Sequence, residues 1–203
     1  MNTFDMIEDL IRERNGIIST KEIDAHRIER WYLTEMVRRN RLERVCRGVY
    51  LDPRYENYDE YYILQLKNTR CVFSYSSALY LHEMTDRIPP LPEITVPRGY
   101  NASHLKGKAM VHSLRNEWYT IGITDIKTTQ GNSVKAYDAE RTLCDLLRDR
   151  KHQDVEVFVK AFTWYFKRPT KDIWKLRAYA KQFGVSEELE SIVVFLTYQK
   201  NDS

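Results

Sequence analysis

The period of the apolar positions changes repeatedly over the first fifty residues, and each change predicts an element. Phe4, Ile7, Leu10 and Ile11 fall on one stripe at helical spacing, and Asn15-Gly16 ends that helix. Ile17-Ile18 predict a short strand. Ser19 and Glu22 have the spacing of a capping box, so a second short helix opens there, with Thr20 and Lys21 in its first turn and Ile23 and Ala25 behind. From His26 the helical period returns: Leu33, Met36 and Val37 point inward, while Arg30, Thr34 and Arg38 share another face at four-residue steps. Asn40 stands where a helix-ending residue with positive φ is wanted, a conformation that Asn tolerates well. Leu42-Glu43-Arg44-Val45 alternates as a strand, Cys46-Arg47-Gly48 reads as a turn, and Val49-Tyr50-Leu51 completes a hairpin. Helix, strand, helix, turn, helix and two-stranded wing in that order predict a winged helix-turn-helix over residues 1–53.

Residues 54–70 follow as a connection, with a helix at Tyr58–Asn68. A C-terminal domain over residues 71–203 opens with short strands between 71 and 138, at Cys71–Tyr75, Glu93–Val96, Ala109–His112, Ile121–Lys127 and Ser133–Tyr137, interrupted by a helix at Ser76–Glu83. Between 139 and 199 four amphipathic helices are expected, at Ala139–Arg150, Val155–Lys167, Thr170–Phe183 and Ser186–Gln199, with Asp154, Thr170 and Ser186 in capping positions. The fold class is therefore α+β: a winged helix-turn-helix, then a mixed α/β domain ending in a helical bundle.

Charge changes this picture locally rather than globally. The 203-residue chain carries a formal net charge of only +3. Residues 26–50, however, hold Arg27, Arg30, Arg38, Arg39, Arg41, Arg44 and Arg47 against Glu29, Glu35 and Glu43, and every base is the side chain suited to bidentate phosphate and guanine contacts. In a winged helix the third helix enters the major groove, and flanking positions and the wing hold phosphate. A solvated basic helix on a protein-interaction adaptor is the plainer alternative. Cys46, Cys71 and Cys144 are far apart and odd in number, which favours a reducing compartment over a disulfide framework, and His26, His82, His104, His112 and His152 show no paired metal-ligand spacing with them. The N-terminus reads as an acidic amphipathic helix rather than a signal peptide, and no apolar run approaches a membrane span, so a cytoplasmic protein with no cofactor is expected.

Two enzymatic readings of the later segments are weak. Ser77, His82 and Asp86 lack the nucleophile elbow of a hydrolase, and Asp125-Ile126-Lys127 with Asp86 or Glu140 only loosely imitates the carboxylates and lysine of a metal-dependent nuclease. No catalytic residue is assigned. Glu140, Arg141, Asp145 and Arg148 have helical ion-pair spacing, with Leu143, Leu146 and Leu147 opposite, which favours scaffolding over a functional surface. A second basic run, Lys160, Lys167, Arg168, Lys171, Lys175, Arg177 and Lys181 against Asp172 alone, is interleaved with Trp164, Tyr165, Phe166, Trp174 and Tyr179. Aromatic core beneath a solvated basic surface accounts for it, and a second polyanion-binding face is the functional alternative.

Several motifs in order carry a family resemblance: Arg47-Gly48-Val49-Tyr50 at the wing, then Ser76-Ser77-Ala78-Leu79-Tyr80-Leu81-His82, Thr85-Asp86-Arg87-Ile88-Pro89, Thr95-Val96-Pro97-Arg98-Gly99-Tyr100, and Glu140-Arg141-Thr142-Leu143-Cys144-Asp145-Leu146-Leu147-Arg148. Together they resemble the AbiEi antitoxins of type IV toxin–antitoxin systems, with Asn40 in place of the glycine more often seen before the wing. The resemblance implies an N-terminal winged helix that binds inverted repeats upstream of its own operon and represses it. It also implies a C-terminal domain that supplies antitoxicity and supports cooperative repression. The implied functional partner is a nucleotidyltransferase-like toxin, countered without a stable complex, and the pair can act in abortive phage infection. Carried to this chain, the DNA-reading candidates are Ser19, Thr20 and Lys21, then Arg27, Arg30, Trp31, Thr34, Arg38 and Arg39, with Arg44 and Arg47 on the wing. RNA is a further candidate ligand for the second basic run.

Overall fold

A computed structural model describes residues 2–56 and 58–201; Met1, Asn57, Asp202 and Ser203, which fall in the expected domain spans, lie outside the described residues. The chain divides into two compact units, one of residues 1–69 with 127–134 and one of residues 70–126 with 135–203. The fold is mixed α+β, as expected from the sequence.

The first unit runs α1 (Thr3–Glu13), β1 (Ile17–Ser19), α2 (Thr20–Ala25), α3 (Trp31–Arg38), β2 (Glu43–Cys46), β3 (Val49–Leu51) and α4 (Glu60–Lys67). Its three strands pair antiparallel in the order β1-β3-β2, with Ile18 opposite Tyr50 and Arg44 opposite Tyr50 from the other side. A register shift between Arg44 and Cys46 leaves Val45 as the extra residue of a bulge that bends the hairpin. The predicted stripe becomes the core: Ile7 and Ile11 pack with Ile18, Ile23, Ile28, Leu33, Met36 and Leu42. The capping box is present, with the Glu22 amide donating to Ser19 Oγ at 3.3 Å and Glu22 Oε2 accepting from the Ser19 amide at 2.8 Å. Asn40 has φ +55° and ends α3 as expected. The helix is shorter than the sequence pattern suggested, because Arg27 adopts φ +56° and interrupts the chain before Trp31.

Helix α4 packs Ile63 against Ile17 and Val49 in this same unit. Its N-cap is Asp59, whose buried carboxylate accepts from the Tyr62 amide at 2.9 Å and from Asn132 Nδ2 at 3.0 Å, and also from the Thr128 hydroxyl. The segment 127–134 thus belongs to the first unit, and Gln130 adds a carbonyl accepting from Asn15 Nδ2 at 3.2 Å.

The second unit contains β4 (Val72–Phe73), α5 (Tyr75–Leu81), β5 (Glu93–Pro97), β6 (Met110–Leu114), α6 (Asn116–Tyr119), most of β7 (Ile123–Lys127) and β8 (Ser133–Tyr137), whose ends toward the 127–134 segment fall in the first unit, then α7 (Ala139–Arg148), α8 (Val155–Lys167), α9 (Ile173–Phe183) and α10 (Ser186–Asn201). The strand order is β6-β5-β4-β8-β7, with β5 parallel to β6, β4 antiparallel to β5, and β4 parallel to β8. The helical core joins Leu143, Leu146 and Leu147 of α7 to Phe158, Phe162 and Tyr165 of α8 and Leu176, Ala180 and Phe183 of α9. Asp154 caps α8 as expected. Thr170 does not cap α9; Asp172 does, its carboxylate accepting from the Lys175 amide at 2.9 Å, so the helix starts three residues later than its apolar pattern. Ser186 is the first helical residue of α10. Helix α6 was not expected; at four residues it is too short to show a hydrophobic period.

Candidate nucleic-acid interface

On α3, Leu33 and Met36 are fully buried and Val37 partly so, whereas Arg30, Thr34 and Arg38 are exposed, the orientation read from their spacing. Trp31 stands 57% exposed at the start of the helix, its ring edge-on to Tyr32 at 5.1 Å. Lys21, Arg27, Arg44 and Arg47 are also exposed, and none of them has an ion pair among the described residues. Arg44 donates only to the Cys46 carbonyl across the bulge, at 3.4 Å. Arg47 leads the hairpin turn that Gly48 closes at φ +76°.

Three of the candidate DNA-reading arginines are held by carboxylates, and Arg41 beside them pairs with Glu8. Arg30 is held by Asp24, with Nε 2.8 Å from Oδ1. Arg38 binds Glu35 in a two-pronged pair at 2.8 and 2.7 Å, and Arg39 donates to the same carboxylate at 2.6 Å. These hydrogen bonds from Arg38 and Arg39 hold the Glu35 carboxyl down at about 2, so it is charged throughout the physiological range. Arg39 also lies over the Phe4 ring at 5.4 Å. A phosphate approaching this face must compete with carboxylates already in place.

Ser19 is buried, and its hydroxyl is spent on Glu22, donating at 2.8 Å to Oε2, so its role within the unit is to cap α2. Thr20 is half-buried beneath the hairpin turn: its amide donates to the Gly48 carbonyl at 2.9 Å, and a Cβ on Gly48 would meet Thr20 Oγ1 at 2.7 Å. Both residues fix the hairpin and α2 rather than extend the exposed face.

Three of the seven bases in the second basic run are neutralised by acids that lie outside residues 160–181. Lys160 pairs with Asp86 at 3.0 Å and Glu156 at 2.9 Å, Lys175 with Asp138 at 3.0 Å and Glu140 at 3.1 Å, and Arg177 with Glu190 at 2.8 Å. Arg168 donates to the His82 carbonyl, and Lys171 to the Arg168 carbonyl at 2.9 Å. Burial alone would lower the Lys175 ammonium, but the Asp138 and Glu140 carboxylates outweigh it and hold it above its ordinary range. Of the seven bases, Lys167 and Lys181 remain exposed without an ion pair among the described residues, and Trp174 of the same run is 84% exposed. Tyr165 is buried, as the aromatic-core reading expects, with its hydroxyl on Glu140 at 2.8 Å.

The residues of the two enzymatic readings are not assembled. Ser77 Oγ accepts from the Glu93 amide at 2.7 Å, His82 Nε2 lies 2.8 Å from the Tyr137 carbonyl, and Asp86 is engaged by Lys160. Asp125 pairs with Lys135 at 3.6 Å while Glu140 faces Tyr165 and Lys175. Among the described residues no group of three or more His, Cys, Asp or Glu side chains is placed to hold a metal ion, and no helix is long and apolar enough to cross a membrane. Helix α7, expected to be amphipathic, is buried on nearly all sides, and Arg141 and Asp145 meet at 2.9 Å with both side chains inaccessible.

A seven-element α+β unit exposing an arginine-bearing helix beside a basic hairpin is now defined, and residues 5–51 within it match the family model described as "Transcriptional regulator, AbiEi antitoxin". The class given to this segment is a transcriptional regulator. The matched residues are thus similar to the AbiEi antitoxins, the family that the ordered sequence motifs resemble. Among solved structures, the chain is similar to the Rv2827c protein of Mycobacterium tuberculosis, at 16% identity and a TM-score of 0.45, covering 90% of this chain and 77% of that one. No curated protein matches.

Proposed function

We propose that the protein is the antitoxin of a type IV toxin–antitoxin operon and the repressor of that operon's transcription. In this reading the first unit is a winged helix: α3 enters the major groove of inverted-repeat DNA upstream of the operon, and the β2–β3 hairpin is the wing. Arg30, Trp31, Thr34 and Arg38 face the bases and adjoining backbone, while Lys21, Arg27, Arg39, Arg44 and Arg47 hold phosphate. The second unit counters a nucleotidyltransferase-like toxin without a stable complex and supports cooperative repression, in the cytoplasm and in the context of abortive infection by phage. No catalytic step or cofactor is required of this chain.

The observation that carries the reading is a coincidence of position. The family match at residues 5–51 falls on the segment whose helix exposes Arg30, Thr34 and Arg38 on one side and buries Leu33 and Met36 on the other. Retention of the DNA upstream of the gene, resistant to competitor DNA and lost in Arg30→Ala/Arg38→Ala, is the expected result. Growth should also recover when the full chain is co-expressed with an adjacent nucleotidyltransferase-like gene. Binding that competitor DNA abolishes would refute the repressor assignment, and failure of rescue would refute the antitoxin assignment.

A further inference from the structure

A second stretch of positive charge in the second unit, apart from the 160–181 segment, is residues 94–116, which contain Arg98, Lys106, Lys108 and Arg115 and no acid. All four bases are exposed, and none has an ion pair among the described residues. Their placement follows from the strand register. Strands β5 and β6 run parallel with Pro97 opposite Leu114, so Arg98 and Arg115 leave the sheet side by side at its carboxyl edge. The Arg98 amide donates to the Leu114 carbonyl at 2.7 Å, which locks the two exits together. Neighbouring strands are about 5 Å apart, so two like charges leave the sheet close together, with Glu117 beside them but in no ion pair with either among the described residues.

Arg98 and Arg115 line one open hollow of about 600 Å3, with Ser113, Leu114, Glu117 and Trp118. Trp118 is half-buried, and its ring is fixed by the Arg148 guanidinium 4.4 Å away and by Phe183 edge-on at 5.8 Å. Strand β6 is an edge of the sheet, and Lys106 and Lys108 precede it at its other end. Cations therefore stand at both ends of an open five-residue edge, with a nucleotide-sized hollow at one end.

We propose that this edge binds single-stranded nucleic acid. Arg98 and Arg115 clamp one backbone phosphate, Lys106 and Lys108 carry the strand along β6, and a nucleotide splayed from the strand occupies the hollow against Trp118. A duplex, whose bases stay stacked inside, has no such nucleotide to insert. The site lies wholly in the second unit and is separate from the operator-reading face.

The test uses the full chain, with fluorescence anisotropy on a labelled mixed-sequence RNA 12-mer, the DNA strand of the same sequence, and the operator duplex. Arg98→Glu/Arg115→Glu should weaken RNA binding at least tenfold and leave operator binding within twofold, while Arg47→Glu does the reverse. Arg98→Gln/Arg115→Gln, a milder change that guards against misfolding, should lower the slope of log affinity against log salt by about 0.7, the value for the one phosphate that the pair clamps. Equal losses on RNA and on the DNA strand would assign the site to single strands in general; loss on RNA alone would assign it to RNA. Unchanged single-strand affinity in both variants, or no single-strand binding by the native chain, overturns the proposal.

Discussion

Replacing Arg141 with Met should cost the second unit about 3–5 kcal/mol, the usual penalty for removing one partner of a buried ion pair. The local structure places this site at the upper end of that range. Arg141 and Asp145 are both inaccessible, and Nε donates to Oδ2 at 2.9 Å. Nη1 also donates to the Trp118 and Ile121 carbonyls at 2.7 and 2.9 Å, and the guanidinium is sandwiched between Tyr137 and Phe183, 4.3 and 4.2 Å from their ring centres. Met fills the space between the rings but leaves two carbonyls unpaired and Asp145 with only Arg148, at 3.4 Å. Burial already pushes the Asp145 carboxyl above its ordinary value, so without Arg141 it should take up a proton in preference to staying charged. Urea unfolding followed by tryptophan fluorescence is a suitable assay, because Trp118, Trp164 and Trp174 all lie in this unit. At roughly 3 °C per kcal/mol the thermal midpoint should fall by about 15 °C. Arg141→Met/Asp145→Leu should recover much of the loss, since a buried pair replaced by apolar groups is often close to neutral. A loss below about 1 kcal/mol, or a double variant worse than the single one, would refute the view that this motif serves the fold.

Gly48→Ala should destabilise the first unit by roughly 1–2 kcal/mol, since the residue sits at φ +76° and its new Cβ would press on Thr20 Oγ1; a melt equal to the native one would argue against it. Glu35→Gln should release Arg38 and Arg39 for phosphate and steepen the salt dependence of operator binding by up to about 1.8, at about 0.9 per contact; an unchanged slope would refute the view that Glu35 withholds either arginine from phosphate. Burial holds the His82 imidazole below its ordinary pKa, so the unfolded chain binds the proton first as pH falls from about 6.5 and the folded state loses stability over that window. His82→Gln should flatten this pH dependence, and an equally steep profile in the variant would show that another group controls it.

Local signals carried the first unit well. The capping box at Ser19 and Glu22, the positive φ at Asn40 and the division of α3 into buried and exposed faces are properties of residues three or four apart, which a sequence displays directly. Helix α8 has its expected limits, Val155–Lys167, for the same reason. Counting charge along a segment failed where the partners were remote. Lys160 finds Asp86 across 74 residues, and no window of ordinary width contains both. The interior position of Arg141 was equally hidden, because its spacing to Asp145 is that of a solvated surface pair and only tertiary packing buries it. At the candidate DNA-reading face the sequence identified the exposed arginines but not their occupancy by Asp24 and Glu35.

The return of residues 127–134 to the first unit makes the two units genetically inseparable by a single cut. The polypeptide passes from the first unit to the second near residue 70, back near 127, and over again near 135. A fragment ending at residue 69 would keep the arginine helix and the hairpin but lose Thr128 and Asn132, leaving the buried Asp59 carboxylate with the Tyr62 amide alone among its described partners. Weak DNA binding by such a fragment would then measure a damaged domain rather than missing cooperativity. Transplanting the 127–134 loop onto it through a short linker, or working with point variants of the whole chain, separates the two explanations.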